Sequence, residues 1–184
     1  MLLQSVDEAF DLMKTRAVGR YGLSEVTQLD HALQSAALAV DRGLDDALAI
    51  AALFHDIGHL LPAEDTALAK QGVDDRHEEA GVAMLSRLFG PDVLEPIRLH
   101  VPAKRWLCAI EPEYFGRLAP DSVRSLELQG GPMSPEEAAA FGDEPYAEDA
   151  AALRRIDDDA KVKGLDVPGL ETYLPMAKRL AIVG

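Results

Sequence analysis

The stretch "LFHDIGHLLP", residues 53–62, sets His55, Asp56 and His59 inside an otherwise apolar run. Upstream "AIAALF" (49–54) and downstream Ile57, Leu60 and Leu61 commit this segment to the interior. Burying an ionised carboxylate costs several kcal/mol unless a cation compensates it. A bound metal removes that cost, because imidazole nitrogen and carboxylate oxygen are its usual ligands and facing helices of a bundle are a common place to converge them.

Outward from this stretch, Ala and Leu dominate, β-branched runs are scarce, and apolar positions recur at three- and four-residue spacing, which predicts an all-α fold, a helical bundle. Helices are expected over 2–18, over Val26 to Arg42 with a stop at Gly43, and from an Asp45 N-cap to about Ile57. Residues 62–73 read as a loop. A helix from about Asp74 to Phe89 stops at Gly90-Pro91, and one from Asp92 to Val101 is expected to end before Pro102. Residues 103–120 look less regular. Short helices follow in "DSVRSLELQGG" (121–131) and "SPEEAAAF" (134–141), then a long one from Pro145 to Lys163 and a last one from near Gly169. No repeat or linker divides the 184 residues, so one domain over 1–184 is expected.

The net charge of −14 argues against nucleic acid, whose binders gather Lys and Arg against phosphates. No apolar stretch is long enough to suggest a membrane span, and the N-terminus lacks the basic start and apolar block of a secretory leader. The single cysteine, Cys108, has no internal partner. A cytoplasmic protein is the expectation.

All five histidines (31, 55, 59, 77 and 100) fall between residues 31 and 100. His31, then His55-Asp56, then an aspartate in "LRRIDDDAK" (153–161) resembles the H…HD…D signature of the HD-domain superfamily, with "HDIGH" as its local form. The fuller set "YGLSEVTQLDHALQ", "LFHDIGHL", "RHEEAG", "LHVPAKRWL", "DSVRSLELQGGPMS" and "LRRIDDDAK" is similar to a narrower group, the HD-domain mixed-valent di-iron oxygenases of organophosphonate breakdown, related at fold level to myo-inositol oxygenase.

That resemblance implies one iron held by His31, His55, Asp56 and Asp157 and another by Asp56, His77 and His100, an Fe(II)/Fe(III) pair bridged by Asp56. Asp157 is chosen over Asp158 and Asp159, which are expected to be solvated, from the family's Trp-Asp-Asp start; Ile156 stands where the Trp would be. His59 matches a histidine that moves a proton or touches the substrate. Tyr21 matches a tyrosine that closes over the iron site. Lys104, one turn beyond His100, would neutralise a phosphonate oxygen. Ser122, Ser125 and Gln129 share a helix face that could meet the same anion, and Arg154 would complete the clamp while Arg155 points away.

The implied reaction is oxidative cleavage of the C–P bond of a 1-hydroxy-2-(trimethylammonio or amino)ethylphosphonate, with O2 as co-substrate, giving glycine betaine or glycine and phosphate. A separate hydroxylase would supply that substrate. Ser24 stands where amine-binding members carry an acid, which inclines the choice towards the trimethylammonio compound, since a quaternary ammonium donates no hydrogen bonds. The competing reading is a metal-dependent HD phosphohydrolase acting on a nucleotide or other phosphate ester through the same Lys104 and Arg154.

Overall fold

A computed structural model describes residues 1–19, 21, 25–61 and 76–182. The described elements are α1 (Val6–Arg16), α2 (Gln28–Asp41), α3 (Asp46–Phe54), a 3-10 turn (Ile57–Leu60), α4 (His77–Leu85), α5 (Pro91–Ile110), a second 3-10 turn (Phe115–Arg117), α6 (Pro120–Leu128), α7 (Pro135–Gly142), α8 (Ala147–Asp159) and α9 (Leu170–Leu180). The all-α expectation holds for these residues, and no described helix is long and apolar enough to cross a membrane. The expected loop at 62–73 and the start of its following helix at Asp74 lie outside the described residues, as does Ser24.

Helix α3 organises the rest. Every residue from Ala47 to Phe54 is buried, so it has no polar face and runs through the centre of the bundle. Its start is fixed by Asp45, whose carboxylate accepts from Leu48 N at 2.8 Å. Helix α2, opened by a capping box between Thr27 and Asp30, packs along one side of it; α5, α8 and α9 cover others.

Helix α3 ends earlier than the sequence suggests. His55 caps it and Asp56 turns the chain at φ −102°, ψ 11°, after which the 3-10 turn carries His59. The turn lies so close to α4 that a Cβ on Gly58 would stand 2.0 Å from the carbonyl oxygen of His77 and 2.9 Å from Gly81 N. Two glycines at this crossing let backbone meet backbone, which is what brings Asp56 to α4.

A second difference is larger. Helix α5 does not stop before Pro102 but runs on to Ile110 with Pro96 and Pro102 inside it. An internal proline costs about 3 kcal/mol through a lost N–H bond and a ring clash. The apolar stripe offsets that cost, since Ile97, Leu99, Val101, Ala103, Trp106 and Leu107 are buried on both sides of the proline. His100 and Lys104 therefore stand on one continuous helix.

Candidate metal centre

Six elements meet around Asp56. His31 comes from α2, His55 and Asp56 from the end of α3, His59 from the 3-10 turn, His77 opens α4, His100 sits in mid-α5, and Asp157 in the last turn of α8. They form two clusters. In the first, His31 Nε2 lies 3.2 Å from His55 Nε2 and 3.2 Å from Asp157 Oδ1, with Asp56 Oδ2 at 3.7 and 3.4 Å from the two imidazoles. In the second, His77 Nε2 and His100 Nε2 are 3.3 Å apart, and Asp56 Oδ1 is 3.3 and 3.8 Å from them. The two oxygens of one carboxylate thus face two different histidine pairs.

The tautomers follow from the anchors. His31, His55 and His100 donate Nδ1–H to the carbonyls of Ala160, Ala52 and Ile97 at 2.8, 2.8 and 2.7 Å. A carbonyl can only accept, so in each neutral ring Nε2 is a bare lone pair aimed at the cluster. Bare lone pairs facing one another repel, and Asp56 Oδ2 is buried without a hydrogen bond among the described residues. A cation in each cluster satisfies all of these atoms. Ligand atoms about 2.1 Å from one metal stand about 3.0–3.4 Å from each other, which is the spacing of both histidine pairs.

The electrostatics agree. Burial alone would raise the Asp56 carboxyl, but His55, His59 and His77 hold it well below the usual range. Burial would raise Asp157 too, and Arg154 and Lys161 hold it well below. Burial, with like charge from His55 and His77, pushes His100 well down and keeps it neutral. Tyr21 stacks on His31 with ring centroids 4.0 Å apart and donates to Asp157 Oδ1 at 3.4 Å; burial followed by the two aspartates drives its hydroxyl well above the ordinary tyrosine range, so it stays protonated. His59 stacks on His77 at 4.1 Å, with its Nε2 3.9 Å from Asp56 Oδ1, at the edge of the second cluster.

Next to the clusters lies a pair of buried cations. Lys104 is 2% exposed and donates to Ser125 Oγ at 2.6 Å; Arg154 is 4% exposed and donates from Nη2 to Ser122 Oγ at 3.2 Å. Two serines of α6 therefore meet two cations. Gln129 caps α6 one turn past Ser125 and is half-buried. Arg155 points away, onto Glu111.

Asp158 departs from its expected place in solvent. Its carboxylate accepts from Arg154 and from Tyr114, and it is 15% exposed. Asp159 does pair at the surface, with Arg42. Sequence reasoning missed Tyr114, for which the chain offers no local signal. It also missed Lys161, whose Nζ is 3.0 Å from Asp157 Oδ1 and 5.4 Å from the centre of the Tyr21 ring. The four-residue step from Asp157 to Lys161 was the available clue.

A bundle with this histidine and aspartate arrangement defines an HD domain, and the HD-domain profile matches residues 29–141. The chain belongs to the HD-domain family. It is 47% identical over 171 residues to a hydroxymethylphosphonate dioxygenase of Gimesia maris, covering 92% of this chain and 85% of that one. It is 40% identical over 156 residues to a [1-hydroxy-2-(trimethylamino)ethyl]phosphonate dioxygenase (glycine-betaine-forming) of Leisingera caerulea, covering 84% and 79%.

Proposed function

We propose that the protein is a non-haem di-iron oxygenase that uses O2 to cleave the C–P bond of a 1-hydroxyalkylphosphonate, releasing phosphate and a carboxylic acid. The observation that carries the metal part is the division of Asp56 between two histidine pairs. The reaction class rests on two relatives named as phosphonate dioxygenases, and these favour oxygenase over phosphohydrolase.

His31, His55, Asp56 and Asp157 would hold one iron, and Asp56, His77 and His100 the other. An iron pair bound there supplies dioxygen activation and Lewis acidity towards the substrate oxygens. The chain's own residues do the rest. Lys104, steadied by Ser125, offers buried positive charge to the phosphonate, where a low dielectric makes charge-assisted hydrogen bonds strong, and Arg154, steadied by Ser122 and paired with Asp157 and Asp158, stands as a further hydrogen-bond donor. Tyr21, protonated and stacked on His31, covers the first cluster from the side; His59 stands ready to take or return a proton beside the second.

The substrate substituent is either the trimethylammonio or amino group, or none. The last reading, hydroxymethylphosphonate itself, is favoured by the name of the 47% identical relative and by charge at the Tyr21 flank. There the Lys161 ammonium stands 5.4 Å from the ring centre, and Glu25 is exposed and engaged by Lys163 at 2.9 Å. A separate hydroxylase would install the 1-hydroxyl.

The test is phosphate release by anaerobically prepared, iron-loaded protein from hydroxymethylphosphonate and from the trimethylammonio and amino compounds, with and without O2. Oxygen-dependent release from one of them is expected, and the fastest names the substrate. Release from phosphate esters alone, indifferent to O2, overturns the oxygenase in favour of the hydrolase. A Lys104→Met variant, which keeps the aliphatic stem, is expected to raise KM about tenfold to a hundredfold with iron content unchanged, the worth of one buried hydrogen bond to a charged group. Loss of iron from this variant would make Lys104 structural.

A further inference from the structure

Arg154 meets four other side chains in the centre. Its Nη1 lies 2.7 Å from Asp157 Oδ2. Its other edge, Nε with Nη2, faces both oxygens of Asp158, Nη2 close against Oδ1 and Nε 3.4 Å from Oδ2. The remaining contacts are Nη2 to Ser122 and Nε to the Tyr114 hydroxyl at 3.3 Å. The guanidinium thus meets Asp158 with its two-pronged edge and Asp157 with a single tip.

The difference matters for Asp157. A guanidinium fork matches both oxygens of a carboxylate, and two parallel bonds of this kind are the geometry arginine prefers. Turned on Asp157, the fork would claim Oδ1 as well as Oδ2, yet Oδ1 is the oxygen 3.2 Å from His31 Nε2 in the first cluster. Asp158 stands one residue on along α8 and absorbs that edge instead.

Tyr114 makes the arrangement rigid. It sits in the connection between α5 and α6, 3% exposed, its ring flanked by Arg117 and Arg155, both of which pair with Glu111. Burial keeps its hydroxyl protonated, so it donates to Asp158 Oδ2 and accepts from Arg154 Nε. One hydroxyl closes the ring of contacts on both members of the Arg154–Asp158 pair.

We propose that Asp158, locked by Tyr114, is a positioning residue that occupies the bidentate edge of Arg154 and so keeps the guanidinium from competing with metal for Asp157. This rests on the metal-centre reading above. It makes a charge of the same sign as the ligands, one held by Arg154 and Tyr114, a determinant of metal retention at the first cluster.

The experiment is iron retention after anaerobic loading with Fe(II) and dialysis against a graded chelator, with circular dichroism to confirm folding. Asp158→Asn frees the fork, and a tenfold to hundredfold weaker hold on one of the two irons is expected. Tyr114→Phe is expected to do the same to a smaller degree. Adding Arg154→Gln to Asp158→Asn removes the competitor and is expected to restore retention. That rescue separates the proposal from a merely structural role, for which two losses in one network would compound. Undiminished retention in Asp158→Asn, or a double variant no better than the single one, overturns the proposal alone. Failure of the wild-type protein to retain iron overturns the metal centre and the proposal together.

Discussion

An Asp56→Ala protein should load no iron at either cluster. The two carboxylate oxygens face different histidine pairs, so one substitution removes a ligand from both positions and, with it, the carboxylate that stands between the two pairs among the described residues. What remains is one imidazole pair at each cluster, Nε2 atoms 3.2 and 3.3 Å apart, with Asp157 at the first alone, and without the shared carboxylate this set binds two cations poorly. Elemental analysis after anaerobic reconstitution should fall from about two metals per chain, as a two-metal site requires, to near zero. Oxygen-dependent phosphate release should disappear with it. Retention of both metals would refute the bridge.

A second large effect needs no charge. Alanine at Gly58 would press its Cβ to 2.0 Å from the His77 carbonyl oxygen, and both partners are backbone. Relief requires the 3-10 turn and α4 to part, which moves Asp56 away from His77. A loss of about 3 kcal/mol or more is expected, at the upper end for overpacking, and it should lower Tm by roughly 6–12 °C for a chain of this size. Metal content should fall as well. Gly81→Ala is the control: its new Cβ meets first the Ile57 side chain at 3.3 Å, which can shift, so a cost of about 1 kcal/mol is expected. Equal tolerance of the two in a thermal melt would mean that the crossing is not as close as described.

The chain's sequence carried much of this in readable form. The buried run around His55-Asp56 announced the centre because titratable groups in an apolar helix need a reason to be there. The three- and four-residue periodicity announced the bundle. What it hid lay at long range or against local rules. Pro102 reads as a stop, and only the burial of Leu99, Val101, Ala103 and Leu107 around it shows why the helix continues. Asp158 and Asp159 are indistinguishable as neighbours in "DDD"; one turns to Arg154 and Tyr114, the other to Arg42, and that choice is made by α8 packing against α5. Tyr114 lies 44 residues from Asp158, so no spacing rule could have joined them.

The histidine anchors have an evolutionary corollary. Three imidazoles are steered by the main-chain carbonyls of Ala52, Ile97 and Ala160, and every amino acid brings the same carbonyl. A lineage can therefore rewrite those three positions with any residue the packing admits, and the rings keep their orientation without a compensating mutation. Sites steered by side chains drift only in coupled pairs. Around these three rings the packing can diverge while their orientation is kept.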